Sequence, residues 1–252
     1  MTEPSLTIER HGAAALIVLN RPEARNALGP DQCAELEEAI AAATADPEVR
    51  GLVITGAGAA FCAGGDIKGM ATRLHMPAEE RRQIVYSRFQ GVIKALLSAP
   101  VPTAAAIDGA AVGFGLDIAL ACDCRFVGPE GWCRQGWGKL GLVAGTGGIF
   151  LMRSRVPGIL WRTLEQGASF DAARMVALGL AEGTDGEPAR ARAIQRFVSY
   201  AHMPRRTVEA YAALDRDGLR AGLDAHLERV LHYQMPLLTA SDFGDRLVNA
   251  RK

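Results

Sequence analysis

The amino-acid sequence predicts an α/β fold. Between residues 5 and 127, short runs of β-branched and aliphatic residues alternate with stretches in which apolar residues recur at helical intervals. This alternation is typical of sheets whose strands are joined by right-handed helical crossovers. Strand signals disappear beyond about residue 145, so we expect the last third of the chain to be helical.

The first predicted elements are two strands, a helix and a third strand. The runs SLTIE at 5–9 and ALIVLN at 15–20 have strand composition, and the His-Gly pair between them predicts a hairpin turn. From residue 30 to about 45 the apolar residues are spaced as on one face of a helix. The run GLVITG at 51–56 then predicts the next strand.

The alternation continues through the middle of the chain. We expect a Gly/Ala-rich loop at 56–66, followed by a long helix at 77–97 whose first turn contains a proline and two glutamates. TAAAI at 103–107 predicts a strand, and after the loop DGAAVG the run at 114–121 predicts a helix. CRFV at 124–127 predicts a further strand.

Composition indicates a globular, small-molecule protein. The chain has 252 residues, 49% of them hydrophobic, which is enough to bury a large core. Lys plus Arg and Asp plus Glu number 28 each, and no basic run occurs, so we expect neither nucleic acid nor a membrane surface as a partner. The most apolar segment contains Asp108 and Asp117, and the N-terminal residues lack the pattern of a signal peptide.

The cysteines indicate a reducing compartment. Their number is odd for a chain of this length, and they show no paired zinc-site spacing, so we expect buried thiols in a cytoplasmic protein. The sequence also predicts no metal centre, because no His/Asp/Glu cluster has ligand spacing, and no flavin or nicotinamide site. The cysteines are Cys33, Cys62, Cys122, Cys124 and Cys133.

Two glycine-rich loops, each leading into a helix, carry the strongest chemical signal. They are FCAGGDIKGM at 61–70 and IDGAAVGFGLDIALACD at 107–123. Glycines allow close backbone approach, and the first N–H groups of a helix are unpaired and partially positive. Two such helix starts facing each other would form an oxyanion hole. The alternative is that the glycines only form turns; neither loop matches GxxxxGK[ST] or GxGxxG.

Four motifs resemble those of one protein family, in the same order and at familiar intervals. They are LNRPEARNAL at 19–28, GAGAAFCAGGDIKGM at 56–70, DGAAVGFGLDIALACD at 108–123 and GKLGLVAGTGG at 138–148. Together they resemble the enoyl-CoA hydratase/isomerase (crotonase) family, over nearly the whole chain and least after about residue 185. The resemblance implies an enzyme that binds an acyl-CoA thioester and stabilises its enolate.

The resemblance also implies an organisation and a set of site residues. Residues 1–185 are expected to form a core of repeated ββα units, and residues 186–252 a helical region that mediates trimerisation, commonly into a hexamer of two trimers. The oxyanion N–H groups map to Gly65 and Phe114. Coenzyme A is implied as part of the substrate, with no permanently bound cofactor. Its channel is expected to be lined by Ala24, Leu28, Ala63, Asp66 and Ile67, with Lys68 either near a phosphate or simply solvated.

The acid/base residues depart from the family pattern. Hydratases of the family use two carboxylates, one for the water and one for the α-carbon. Asp117 occupies the first acidic position, where it is either a catalytic group or a charge at the start of a helix. Trp137 occupies the second, and indole is a donor only. Trp137 is therefore expected to form an apolar wall, to donate its N–H to a substrate oxygen, or merely to pack beneath the loop.

Three functional hypotheses are compatible with the sequence. The first is an enoyl-CoA hydratase or isomerase in which Asp117 is the single acid/base. The second is a decarboxylase or thioester hydrolase of the same family, in which Trp137 excludes water. The third is a catalytically silent acyl-CoA binder. Weaker candidate bases are His75, Cys133, Gln135 and Tyr86, and the acyl group is not predicted.

Overall fold

A computed structural model describes residues 4–165 and 168–249. The two ends of the predicted organisation, residues 1–3 and 250–252, lie outside the described residues. The fold is α/β, as the sequence predicts. The elements are β1 (Leu6–His11), β2 (Ala14–Leu19), a 3₁₀ turn (Pro22–Ala24), α1 (Pro30–Ala45), β3 (Gly51–Gly56), β4 (Ala60–Cys62), α2 (Ile67–Thr72), α3 (Ala78–Glu80), a π-helical segment (Arg81–Tyr86), α4 (Ser87–Ser98), β5 (Thr103–Ile107), β6 (Ala110–Val112), α5 (Phe114–Ala121), β7 (Cys124–Val127), β8 (Trp132–Arg134), a 3₁₀ helix (Trp137–Leu140), α6 (Gly148–Arg155), α7 (Ile159–Thr163), β9 (Phe170–Asp171), α8 (Ala172–Ala177), β10 (Glu182–Gly183), α9 (Ala189–Val198), a 3₁₀ helix (Ser199–His202), α10 (Arg205–Leu238) and α11 (Phe243–Asn249).

The described strands form two sheets. One sheet has the order β1-β2-β3-β5-β7-β10, and its pairings are parallel except for the β1–β2 hairpin. The other has the order β4-β6-β8-β9. Each pair of consecutive strands from β3 onward contributes one strand to each sheet, and α2 and α5 follow β4 and β6. The repeated ββα units are therefore present.

The second sheet was not foreseen from the sequence. Its strands β4 and β6 lie in segments for which the sequence predicts loops, and β8 follows the last predicted strand. Each has only three residues, so its pairing with the next strand in space, rather than a local pattern, defines it. Beyond residue 145 the absence of strands was also wrong, because β9 and β10 extend the two sheets by two residues each.

The predicted helices at 30–45 and 114–121 are confirmed, and the helix predicted at 77–97 is present as α3, a π-helical segment and α4. Among the described residues, buried apolar side chains form two clusters. The larger cluster packs the sheets against the long helix α10. It includes Leu52 and Ile54 of β3 together with Leu223, Leu227 and Leu231 of α10. No helix among residues 4–165 and 168–249 is long and apolar enough to cross a membrane.

Candidate active site

The two glycine-rich loops meet at one edge of the second sheet. Strands β4 and β6 are parallel neighbours, so the loops that follow them emerge side by side. Gly64, with φ of 98°, allows the contact: a Cβ at this position would lie 2.6 Å from the carbonyl oxygen of Val112 and 3.3 Å from the nitrogen of Phe114. A Cβ at Gly115 would lie 2.2 Å from the carbonyl oxygen of Cys62. Only glycine permits this approach.

The backbone around Gly65 is fixed by its neighbours. Leu28 N–H donates to the carbonyl of Gly64 at 2.9 Å, and Asp66 N–H donates to the carbonyl of Leu28 at 2.8 Å. Phe114 is the first residue of α5. Among the described residues, no acceptor is bonded to the N–H of Gly65 or of Phe114. Both N–H groups are thus available to an outside oxygen.

Two cavities adjoin these loops. The first, here called the glycine-loop cavity, includes both predicted oxyanion residues and is lined by Ala63, Gly64, Gly65, Ile67, Met70, Val112, Gly113, Phe114, Arg134, Gly136, Trp137, Lys139, Leu140 and Asn249. The second, here called the aromatic cavity, is lined by Asp66, Met70, Arg73, Arg81, Val85, Tyr86, Phe89, Trp137, Thr146, Leu238 and Phe243. Met70 and Trp137 line both cavities, so the two are adjacent.

Asp117 is fully buried on the first turns of α5, at 0% exposure. Its Oδ2 accepts hydrogen bonds from the indole N–H of Trp137, at 3.3 Å, and from the hydroxyl of Thr146. Its Oδ1 is buried and, within the described chain, without a hydrogen-bond partner. Burial raises the pKa of Asp117 from 3.8 to about 7, while the bonds from Thr146 and Trp137 lower it. The carboxyl group therefore changes its charge near neutral pH.

Trp137 begins a short 3₁₀ helix and is nearly buried, at 5% exposure. Its backbone N–H donates to the side-chain oxygen of Gln135 at 3.1 Å, and its carbonyl accepts from Leu142 N–H at 3.0 Å. The indole ring thus has a fixed position between the two cavities, with its N–H directed at Asp117. The structure brings Trp137 and Asp117 into contact, which the sequence did not predict.

The predicted acyl-CoA-binding residues fall into two groups. Ala63 and Ile67 line the glycine-loop cavity, and Asp66 lines the aromatic cavity while it caps α2 by accepting from the N–H groups of Lys68 and Gly69. Ala24, Leu28 and Lys68 line neither cavity. Leu28 is buried and fixes the Gly65 loop through its backbone, and Lys68 is exposed. The binding roles of all six residues remain predictions.

The weaker candidate bases occupy different places. His75 is exposed and lines neither cavity. Cys133 is buried, and burial raises the pKa of its thiol to about 12. Tyr86 lines the aromatic cavity, where its hydroxyl accepts from Gln234 at 2.7 Å and burial raises its pKa to about 12. Cys133 and Tyr86 therefore do not share the near-neutral pKa of Asp117.

Sequence reasoning missed two residues. Thr146 belongs to the fourth motif but was given no role; its place between glycines, in GTGG, was the available signal. Asn26, in the first motif, is buried with φ of 56°, and its amide bonds to the carbonyls of Ala57 and Ala60 at 2.9 and 2.7 Å. Asn26 therefore ties the first motif to the start of the Gly65 loop.

Comparison with known proteins identifies the family. The sequence profile of the enoyl-CoA hydratase/isomerase family matches residues 9–238. The chain belongs to this family of enzymes. A protein of Mycobacterium tuberculosis named "Probable enoyl-CoA hydratase EchA14" is 39% identical over 212 residues, which are 84% of this chain and 80% of that protein. Members of the enoyl-CoA hydratase/isomerase family act on coenzyme A thioesters.

Solved structures of the enoyl-CoA hydratase/isomerase family share the fold. The structure of an enoyl-CoA hydratase/isomerase from Mycobacterium paratuberculosis has a TM-score of 0.87 at 26% identity, covering 97% of this chain and 98% of that chain. The structure of an enoyl-CoA hydratase from Bacillus halodurans has a TM-score of 0.89 at 20% identity, covering 98% and 100%. The second similarity concerns the fold alone.

Proposed function

We propose that this protein is an acyl-CoA isomerase of the enoyl-CoA hydratase/isomerase family. It removes a proton from the carbon next to the thioester carbonyl, holds the resulting enolate, and returns a proton to the acyl chain at the γ-carbon. Net charge and atoms are conserved. The α-carbon loses one proton, the γ-carbon gains one, and the double bond moves from the β,γ position to the α,β position. The acyl group itself is left open.

The observation that carries the proposal is the pair of N–H groups of Gly65 and Phe114, which have no acceptor among residues 4–165 and 168–249 and belong to residues that line one cavity. The thioester oxygen becomes negatively charged in the enolate, and two preorganised donors stabilise that charge more than they stabilise the neutral carbonyl. Loss of one donor of this kind costs about 3 kcal/mol at the transition state. The pair thus supplies a large share of the proposed rate enhancement.

The acid/base assignment favours isomerisation over hydration. Asp117 has a pKa of about 7, near the optimum for a group that both accepts and donates a proton. Hydration needs a second group to activate water, and Trp137, at the position where the family resemblance implies that group, is a donor only. One carboxylate is sufficient for isomerisation, since the same group can take and return the proton.

Coenzyme A is proposed to enter along the glycine-loop cavity as part of the substrate, with no permanently bound cofactor. Ala63 and Ile67, which line this cavity, support the entry path, and Asp66 lines the adjacent aromatic cavity. The aromatic cavity, bordered by Phe89 and Phe243, suits an apolar acyl chain. Ala24, Leu28 and Lys68 are retained as proposed contacts of the coenzyme A portion.

The test is turnover of a thioester panel in deuterium oxide. Wild type and Asp117→Asn are incubated with a 3-enoyl-CoA, crotonyl-CoA and methylmalonyl-CoA, and products are followed by mass spectrometry. We expect wild type to convert the 3-enoyl-CoA into a conjugated, deuterated 2-enoyl-CoA, and Asp117→Asn to lose this activity by about 10²- to 10⁴-fold. Hydrated crotonyl-CoA as the main product would contradict isomerisation.

A second candidate is decarboxylation, favoured by one observation: Asp117 lies outside the lining of both cavities, whereas the nearly buried Trp137 lines both. In decarboxylation the carbon–carboxylate bond breaks, carbon dioxide leaves, and its electron pair forms the same enolate, so no base is needed. Carbon dioxide release from methylmalonyl-CoA that Asp117→Asn does not reduce would support it.

The same panel distinguishes two further alternatives. Binding of every thioester without turnover or α-deuteration would indicate a catalytically silent binder, and release of free coenzyme A would indicate a thioester hydrolase.

The assembly is proposed to be a homotrimer, or a hexamer of two trimers, in the cytoplasm. The core of residues 1–185 would perform binding and catalysis, and residues 186–252 would mediate the contacts between subunits. Tyr211, Leu214 and Tyr233 of α10 support this, because these apolar side chains are exposed on the isolated chain. Sedimentation equilibrium would give the number of subunits.

A further inference from the structure

Asp117 is separated from the proposed substrate by its own hydrogen-bond partners. Trp137 lines both cavities and Thr146 lines the aromatic cavity, but Asp117 lines neither, and it is 0% exposed. In this structure the carboxyl group borders neither of the two cavities proposed to hold the substrate. The group that connects it to the cavity must both contact the substrate and exchange a proton with Asp117.

We propose that Thr146 is a catalytic residue that relays the proton between the substrate and Asp117. The inference rests on the proposed isomerase function. In the first step the α-carbon–hydrogen bond breaks, a new O–H bond forms at Thr146 Oγ1, and the original hydroxyl proton of Thr146 moves to Oδ2 of Asp117. The electron pair of the broken bond enters the enolate. After the protons held by Thr146 and Asp117 exchange with solvent, the reverse movement delivers the hydroxyl proton of Thr146 to the γ-carbon and returns the proton of Asp117 to Thr146, which completes the isomerisation and restores both residues.

Of the two side chains that the structure shows bonded to Asp117, Thr146 has the required chemistry. Its hydroxyl donates to Oδ2 of Asp117 and keeps oxygen lone pairs that can accept a proton. Trp137 bonds to the same oxygen, but its indole N–H is a donor without a basic lone pair and therefore cannot pass a proton on. Trp137 is a positioning residue in this scheme, because its hydrogen bond holds the carboxylate to which the hydroxyl of Thr146 donates.

The loop that carries Thr146 is fixed from two sides. The side-chain amide of Gln90, on α4, donates to the carbonyl of Gly145 at 2.9 Å. Val143 N–H donates to the side-chain oxygen of Gln234, on α10, at 3.0 Å. Gln90 is nearly buried and Gln234 is fully buried, so these bonds are shielded from water. Thr146 is therefore held against Asp117 before substrate arrives, as a relay requires.

The test replaces the hydroxyl without changing the shape of the side chain. Thr146→Val removes it and Thr146→Ser keeps it; both are assayed with a 3-enoyl-CoA, and binding of a saturated acyl-CoA is measured by calorimetry. We expect Thr146→Val to lower kcat about 10²- to 10⁴-fold with the affinity for the saturated thioester unchanged. Thr146→Ser should recover most of the lost rate. Thr44→Val is the matched control, because Thr44 is a buried threonine of α1 that bonds to the carbonyl of Ile40.

A second readout separates a relay from a merely structural role. In C–H cleavage by the relay, the hydroxyl proton of Thr146, which exchanges with solvent, moves together with the α-hydrogen of the substrate, which does not. The step that is slowed by deuterium at the α-carbon of the 3-enoyl-CoA should therefore also be slowed by deuterium oxide. Wild-type C–H cleavage that is slowed by α-deuteration but not by deuterium oxide overturns the relay, and so does Thr146→Val with a rate equal to that of Thr44→Val. If Thr146→Val fails to fold, the solvent isotope effect of wild type and the rate of Thr146→Ser decide the question.

Failure of the relay is distinguishable from failure of the proposed function. Wild type that isomerises the 3-enoyl-CoA while Thr146→Val is equally active rejects the relay and leaves the isomerase intact. Wild type that neither turns over nor deuterates any thioester rejects both.

Discussion

The indole N–H of Trp137 lies 3.3 Å from Oδ2 of Asp117, and both side chains are buried. A hydrogen bond to the charged form of a carboxyl group lowers its pKa. Trp137 thereby opposes the rise in the pKa of Asp117 that burial causes, together with Thr146. Trp137, which is proposed to occupy the position of the family's second carboxylate, thus tunes the carboxyl group of Asp117.

Replacement of Trp137 by phenylalanine should shift the pH profile of enzyme activity to higher pH. Trp137→Phe keeps an aromatic wall but removes the N–H donor, so the pKa of Asp117 should rise above its present value of about 7. A hydrogen bond to a charged group contributes roughly 1.5 kcal/mol, which lowers the ionised fraction at pH 7 about sevenfold. We expect activity to fall at pH 7 and to recover at alkaline pH.

The measurement is kcat for a 3-enoyl-CoA from pH 5 to about pH 10, with Trp161→Phe as control. Trp161 is 76% exposed and lines neither cavity. An unchanged profile, or one displaced to acid pH, would reject the tuning role of Trp137.

Asp117 should destabilise the folded protein at neutral pH. Because burial raises its pKa from 3.8 to about 7, the folded state binds the proton more tightly than the unfolded chain does. Stability is therefore lost as the pH rises from about 4 to about 7, and the loss is complete above this range. Asparagine does not titrate, so Asp117→Asn should gain roughly 2.6 kcal/mol relative to wild type between pH 5 and pH 8.

Urea unfolding at the two pH values measures this difference. Asp217→Asn is the control, because Asp217 is exposed on α10 and its replacement should give the same difference from wild type at both pH values. A constant difference for Asp117→Asn would show that Asp117 does not titrate between them.

The elements predicted correctly are those with enough residues to display a period. Helix α1 and strand β3 match their predicted ranges, because sixteen and six residues respectively show a clear pattern. Strands β4, β6 and β8 have three residues each, and they exist because they pair with one another across long stretches of chain. Local pattern cannot reveal such pairing.

The candidate site shows the same division. Gly65 and Phe114 are assigned by the family resemblance, which is a property of continuous segments, and their role as oxyanion donors stays a prediction. The enclosure of Asp117 depends on Trp137 and Thr146, which are 20 and 29 residues further along the chain. Their convergence is a result of tertiary packing, so the sequence identified Asp117 but not its isolation from the cavities.

Gly148 should tolerate no side chain. A Cβ at this position would lie 2.0 Å from Oδ1 of Asp117, too close for any contact between these atoms. We expect Gly148→Ala to destabilise the protein by about 1–3 kcal/mol and to reduce turnover, because α6 or the carboxylate must move. Gly218→Ala is the control: on α10, a Cβ there meets nothing within 4 Å, and the change should stabilise the helix by about 0.5–1 kcal/mol. Thermal unfolding compares the two, and equal effects would contradict the packing argument.

Helix α10 should depend on the buried ion pair of Arg216 and Asp123. Arg216 is 1% exposed; its guanidinium bonds to both oxygens of Asp123 and to the carbonyls of Ala99 and Val101. Removing Arg216 leaves Asp123 with the more distant Arg155, at 3.4 Å, as its cationic partner and removes the donor to the carbonyls of Ala99 and Val101, so Arg216→Met should cost about 3 kcal/mol.

The matched control for Arg216 is Lys94, which also connects α10 to the core but does so at the surface. Its ammonium group lies 2.7 Å from Asp224, with side-chain exposures of 49% and 76%. Water screens such a pair, so Lys94→Met should change stability by less than about 1 kcal/mol. The free energy of unfolding in urea measures both variants. A loss for Arg216→Met no larger than that for Lys94→Met would mean that apolar packing, through Leu223, Leu227 and Leu231, rather than the ion pair, holds α10 in place.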